Sequence, residues 1–301
     1  MDGGGFIREL CVALERRWKP EEWFLLFTAY FDESDTHGPT PTIIMSAFLG
    51  RARQWEMFGR KLRMLQREEN FSVFHGKDIK SGTGEFVRWE LEKRMRVVNA
   101  LADLVKDQLE DGASIHLEYD RYVNEYRNSY TPKGVSLDSQ YGVCFRMLLS
   151  HIINSLLHTG KKHRLHVVLE RGHPKGQNCE KIFHELKKIL ITKGAELLGT
   201  FTLAAKAEAP PLMVADFLAY SYKMMRVPGG IGMDGYPETV PKNGEAGLTF
   251  LGLAPDALHQ IKLEMQQDRL AVRAYNRAQK TVAKEKRPSS SPPVSSGEPP
   301  C

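Results

Sequence analysis

Hydrophobic and polar positions follow two rhythms along the chain. Short apolar runs occur at residues 24–31 (FLLFTAYF), 42–49, 114–119, 164–169 and 197–204. They are rich in aromatic and β-branched residues, and their length predicts buried strands. The run at 42–49 follows a His-Gly-Pro-Thr-Pro turn and reads as the antiparallel partner of the first. A further short apolar run at 71–74 also reads as a short strand. Between these runs the period changes to that of a helix. Residues 54–69 place Trp55, Phe58, Leu62 and Leu65 on one face. Helices are also predicted over 86–110, 141–158, 179–192 (closed by Gly194), 211–225 and 255–280. The fifth begins at Pro210-Pro211, where proline suits the first turn. The Gly/Pro-rich stretch 228–247 reads as a loop. An antiparallel start followed by strand–helix alternation implies an α/β protein with a mixed sheet and helices on its faces.

Three segments follow from this pattern: an N-terminal extension over 1–22, a folded domain with its C-terminal helix over 23–280, and a Pro/Ser-rich tail over 281–301. Residues 288–301 (PSSSPPVSSGEPPC) lack the apolar content needed to offset chain entropy, so the tail is expected to be disordered.

Composition narrows the class. The 301 residues are 42% hydrophobic and 26% charged, which excludes a wholly disordered chain and a small disulfide scaffold. The longest apolar stretch, 23–31, is far below the ~20 residues of a membrane helix. The opening Met-Asp-Gly-Gly-Gly lacks a secretory pattern, so the cytoplasm is the expected location and no membrane partner is expected. The four cysteines are widely spaced, which suggests neither a zinc knuckle nor a disulfide framework. The net charge of +5 permits a polyanionic partner without demanding one. Arg60-Lys-Leu-Arg63 and Lys161-Lys-His-Arg164 could contact phosphates or serve as solvated faces.

The chemistry lies in the acids. Asp32 and Glu33 end the first apolar strand and Glu170 ends another, at the carboxyl ends where open α/β sheets place their sites. Turn formation explains the first pair equally well. An ion pair with Arg171 or a neighbouring lysine would explain Glu170. Asp216 lies in a helical stretch that is apolar nearly all round, LMVADFLAY. A buried carboxylate there needs a partner: a cation site, or a salt bridge with Lys206 or Arg226. His75 and Asp78 stand in FHGKD, where His75 either serves the site or is simply packed. Carboxylate oxygens converging from two strand ends and one helix suit Mg²⁺ or Mn²⁺. Such ions activate water and stabilise a leaving oxygen in phosphodiester cleavage. No P-loop, nucleophile elbow or zinc-protease helix is present. The Gly229-Gly-Ile-Gly232 cluster follows a helix, unlike a dinucleotide turn.

The sequence resembles the DUF3800 group, proteins of unassigned cellular role placed with the ribonuclease H-like fold. The matching motifs are Tyr30-Phe-Asp-Glu-Ser34, Phe74-His-Gly-Lys-Asp78, Val168-Leu-Glu170 and Ala215-Asp-Phe-Leu-Ala-Tyr220, spread over residues 24–225. Where that group more often has Ser-Gly after the opening acids, this chain has Ser34-Asp35. The resemblance implies a ribonuclease H-like sheet whose carboxylate site is formed by Asp32, Glu170 and Asp216, with Glu33 and His75 close by. The expected activity is that of a metal-dependent nuclease-like hydrolase. Asp32, Glu170 and Asp216 would hold Mg²⁺ or Mn²⁺, and His75 or Glu33 would position water or move protons. The expected partner is nucleic acid. The alternative is a non-catalytic module that binds nucleic acid or protein on the same fold. A phosphoesterase of small nucleotides would instead need a closed pocket.

Overall fold

In the computed structural model, residues 25–34, 42–109, 111–159, 163–226, 247–254 and 256–285 are described. The N-terminal extension 1–22, the loop 228–246 and the tail 288–301 lie outside them.

The strands are β1 (Leu25–Ser34), β2 (Thr42–Arg51), β3 (Asp111–Glu118), β4 (His163–Glu170), β5 (Leu198–Ala204) and β6 (Leu248–Leu251). They form one sheet in the order β5-β4-β1-β2-β3-β6. β1, β2 and β3 run as an antiparallel meander, while β4 pairs parallel to β1 and β5 parallel to β4. This is the expected mixed α/β sheet, an antiparallel start followed by strand–helix crossovers.

The helices are α1 (Ala52–Glu69), α2 (Gly76–Ser81), α3 (Leu91–Gln108), α4 (Gln140–His158), α5 (Gly176–Thr192), α6 (Leu212–Arg226) and α7 (Ala257–Glu285). One face of the sheet packs on α4, α5 and α7 around Phe31, Met45, Ile115, Phe145 and Phe183. The other packs on α1, α3 and α6 around Tyr30, Phe48, Trp55, Phe58 and Phe217. With both faces covered, β1 and β2 read as nearly unbroken apolar runs rather than alternating ones. α1 buries the face carrying Trp55, Phe58, Leu62 and Leu65. Cys144 and Cys179 are free thiols filling the α4–α5 core.

Several elements differ from the sequence pattern, among them α2, where no helix is predicted. Residues 71–74 are not a strand. Phe71 and Phe74 are buried, but the N–H groups of Ser72 and Val73 donate to the Glu85 carboxylate at 2.5 and 3.1 Å. A side chain thus takes the place of a neighbouring strand. The third helix starts at Leu91 rather than 86, because Arg88 adopts a left-handed backbone (φ 83°) that interrupts a helix. β6 was not anticipated, since its pairing with β3 is set by a distant segment. α7 runs to Glu285, past the Lys280 at which the pattern closes it. Among the described residues, no helix is long and apolar enough to cross a membrane.

Candidate functional site

β1 lies between β2 and β4, so its carboxyl end is flanked on both sides. Side chains alternate across the sheet. Asp32 therefore faces the α6 layer and is fully buried, while Glu33 faces the α4 layer. The Glu33 N–H donates to Asp32 Oδ1 at 2.7 Å, and Glu33 Oε2 accepts the Tyr141 hydroxyl at 3.0 Å. The Tyr141 ring stacks on His173, with centroids 3.8 Å apart. Across the antiparallel meander, Asp32 stands opposite Ser46 and Ser46 opposite Ser114, making a buried polar row. The two hydroxyls are 2.5 Å apart.

Glu170 reaches Asp32 through strand register. Phe31 pairs with Leu169, so the next residues, Asp32 and Glu170, project from the same face of adjacent parallel strands. α6 packs on that face and brings down Asp216, whose side chain is 11% exposed. The chain enters α6 from β5 through a turn that carries Lys206. The Nζ of Lys206 lies 2.8 Å from Asp32 Oδ2, 2.7 Å from Glu170 Oε1 and 3.3 Å from Asp216 Oδ2. One buried ammonium thus touches all three acids that the resemblance assigns to a metal.

α2 supplies the remaining contacts. The Gly76 N–H donates to Asp216 Oδ2 at 3.3 Å, and His75 Nδ1 lies 3.4 Å from the same oxygen. The His75 side chain is 44% exposed, which gives this edge of the site access to water. Asp78 is turned away and accepts the Thr83 hydroxyl at 2.9 Å.

Electrostatics follow from the crowding. Burial raises the Asp32 carboxyl well above the ordinary aspartate value; Glu170 and Asp216 add to that, and Lys206 opposes it. Burial alone would lower the Lys206 ammonium, but Asp216, Asp32 and Glu170 outweigh it and hold the group above the usual lysine range. Asp32 Oδ2 and the Lys206 ammonium meet as a buried ion pair at 2.8 Å. Burial and the adjacent Glu33 also push the Tyr141 phenol up.

Asp32, Glu33 and Glu170 each bring one oxygen within 4.8 Å of the others, a spacing that could hold a metal ion. Three hard carboxylate oxygens, with Asp32 fully buried, fit Mg²⁺ or Mn²⁺. Asp216 joins this set through Lys206. All five residues singled out in the sequence (Asp32, Glu33, His75, Glu170 and Asp216) therefore gather at one end of the sheet. Arg171 does not pair with Glu170; it pairs with Glu208 at 3.0 Å. Tyr141 and Gly76 lie outside the sequence reading, because their roles depend on packing between distant elements. Lys206 was legible only as one of two partners open to Asp216.

No protein-family profile matches the chain, and no curated protein matches it. Two solved structures align over 73% of it. One is ribonuclease H2 from Pyrococcus horikoshii OT3, at 11% identity, covering 82% of that chain with a TM-score of 0.36. The other is a glutamine-to-alanine variant of Bst-RNase HIII, at 12% identity, covering 65% of that chain with a TM-score of 0.35.

Proposed function

We propose that the chain is a metal-dependent nuclease-like hydrolase of the DUF3800 group, cleaving phosphodiester bonds in nucleic acid. The observation that carries this reading is the gathering of Asp32, Glu33, Glu170 and Asp216 at the carboxyl end of the central strands. Asp32, Glu170 and Asp216 would hold Mg²⁺ or Mn²⁺, with Glu33 adjoining. The bound ion would supply Lewis acidity and an activated water at neutral pH. Asp32 and Glu170 orient the cluster from rigid strands, and Gly76 fixes the Asp216 carboxylate through its N–H. His75, half exposed beside Asp216, would position water or move a proton at the water-facing edge. Tyr141 orients Glu33.

The test is incubation of the full chain with single- and double-stranded DNA and RNA, in Mn²⁺, Mg²⁺ or EDTA, beside Asp32→Asn. Cleavage that needs the metal and is lost in the variant supports the reading. A folded protein that cuts nothing, or a variant that cuts as well as the native chain, refutes it.

A second reading, a non-catalytic binding module, is favoured by one observation. Lys206 already supplies the acids with a cation. That reading expects nucleic-acid or protein binding without cleavage in every buffer.

A further inference from the structure

The turn between β5 and α6 contributes a residue whose position bears on how the cluster takes a cation. Lys206 is 5% exposed, with its ammonium set among three carboxylates. We infer that Lys206 is a placeholder cation: its ammonium holds Asp32, Glu170 and Asp216 together in the metal-free protein, and a divalent ion binds by displacing it. This rests on the metal-binding part of the proposed function and adds the step by which the site is loaded.

Geometry makes the two cations mutually exclusive. Mg²⁺ binds oxygen at ~2.1 Å. Nζ fills the space beside Asp32 Oδ2 and Glu170 Oε1, 2.8 and 2.7 Å from them, which a divalent ion held by these carboxylates would need. Charge favours the exchange. One ammonium faces three carboxylates, with Glu33 close behind, so negative charge is left over that a divalent ion neutralises better. An ammonium on a flexible stem can leave without moving the backbone. The Glu170 side chain, 21% exposed, marks the side on which the cluster meets water.

Two measurements test the inference. The first is Mn²⁺ titration calorimetry on the native chain and on Lys206→Met, with folding of the variant checked by circular dichroism. Removing the competing charge should tighten Mn²⁺ binding about tenfold or more. The second needs no variant. The native chain is pulsed with an amine-acylating reagent in EDTA or in saturating Mn²⁺, and the Lys206 peptide is read by mass spectrometry. Lys206 should be protected in EDTA and labelled several-fold faster in Mn²⁺. Equal or weaker Mn²⁺ binding by a folded Lys206→Met overturns the inference while leaving the metal reading standing. If the variant does not fold, unchanged protection of Lys206 in a native protein that binds Mn²⁺ overturns it. If the native chain binds no Mn²⁺ and Lys206→Met does, the lysine is the site's permanent cation; exclusion is upheld and the hydrolase reading falls. If neither binds, both fall.

Discussion

Asp216 and Lys206 meet at 3.3 Å, and the same Asp216 oxygen accepts the Gly76 N–H at 3.3 Å. The two residues do not depend on each other equally. Asp216 keeps a backbone donor without Lys206, and Lys206 keeps Asp32 and Glu170 without Asp216. Lys206 alone serves three acids. In EDTA, Asp216→Asn should therefore stay within ~1 kcal/mol of the native stability, since asparagine still offers an acceptor to Gly76. Lys206→Met should cost ~3–5 kcal/mol, because it leaves buried carboxylates uncompensated. Urea unfolding in EDTA reads both values. The opposite ranking would mean that Asp216, not Lys206, centres the cluster.

Glycine spacing at α2 gives a second prediction. A Cβ on Gly76 would stand 2.5 Å from Tyr220 Cβ and 2.7 Å from its Cγ, so α2 would have to move off α6. Gly76→Ala should cost ~1–3 kcal/mol through overpacking. It should also shrink the Mn²⁺-induced rise in melting temperature, because the N–H on Asp216 moves with α2. Gly59 in α1 is the control. Its added Cβ would meet only Arg63 Nη1, at 3.5 Å, so Gly59→Ala should stabilise by ~0.5–1 kcal/mol. Thermal melts with EDTA and with Mn²⁺ compare the two, and equal effects would remove Tyr220 as the cause.

How much of this was legible varies with the range of the interaction. The 3.6-residue period exposed the buried face of α1 directly, because a helix repeats its own pattern. Asp32, Glu170 and Asp216 stood out because a carboxylate inside or at the end of an apolar run needs a partner. The pairing of Asp216 with Lys206 was one of two open alternatives, and it is the contact present. The hub role of Lys206 was hidden: a lysine in Ala-Ala-Lys-Ala-Glu has the appearance of an exposed turn residue. Its burial comes from β1, β4 and α6 closing around it. Phe71 and Phe74 misled for the same reason. Their apolarity signals burial, while the backbone partner that decides strand or loop is Glu85, 12 or more residues away in sequence.

Away from the site, Lys262 of α7 is fully buried, and its Nζ donates to Tyr126 O at 2.6 Å, Tyr130 O at 2.8 Å and Ser129 Oγ at 2.7 Å. It ties the last helix to a π-helical turn, Tyr122–Arg127, and the residues after it. Lys262→Met should cost about 3 kcal/mol, since it leaves several buried acceptors without a donor. Hydrogen exchange should show the loss first around residues 126–131. A variant as stable as the native chain, with unchanged exchange there, would mean that water replaces the ammonium.

His166 on β4 sets an acid limit on the fold. Its Nδ1 accepts the Thr200 N–H at 3.3 Å and lies 2.8 Å from the Thr200 hydroxyl, while its buried Nε2 has no hydrogen-bond partner. Burial, reinforced by Arg164 and Lys187, lowers this imidazole to about 4. The unfolded chain takes up a proton there near the ordinary value of 6.5, whereas the folded chain resists until about 4. Between those values the unfolded state binds more protons, so stability falls as pH falls. The contribution is fully present above pH ~6.5 and is lost on the way down to ~4. At one pK unit per ~1.4 kcal/mol, the loss by pH 4.5 is about 2–3 kcal/mol. His166→Gln keeps an acceptor for Thr200 and does not titrate. Urea unfolding at pH 7.5 and 4.5 should therefore show a drop about 2–3 kcal/mol smaller in the variant than in the native chain, since the other acid-titrating groups are common to both. Equal drops would show that His166 is protonated as easily inside the fold as outside it, with water reaching Nε2.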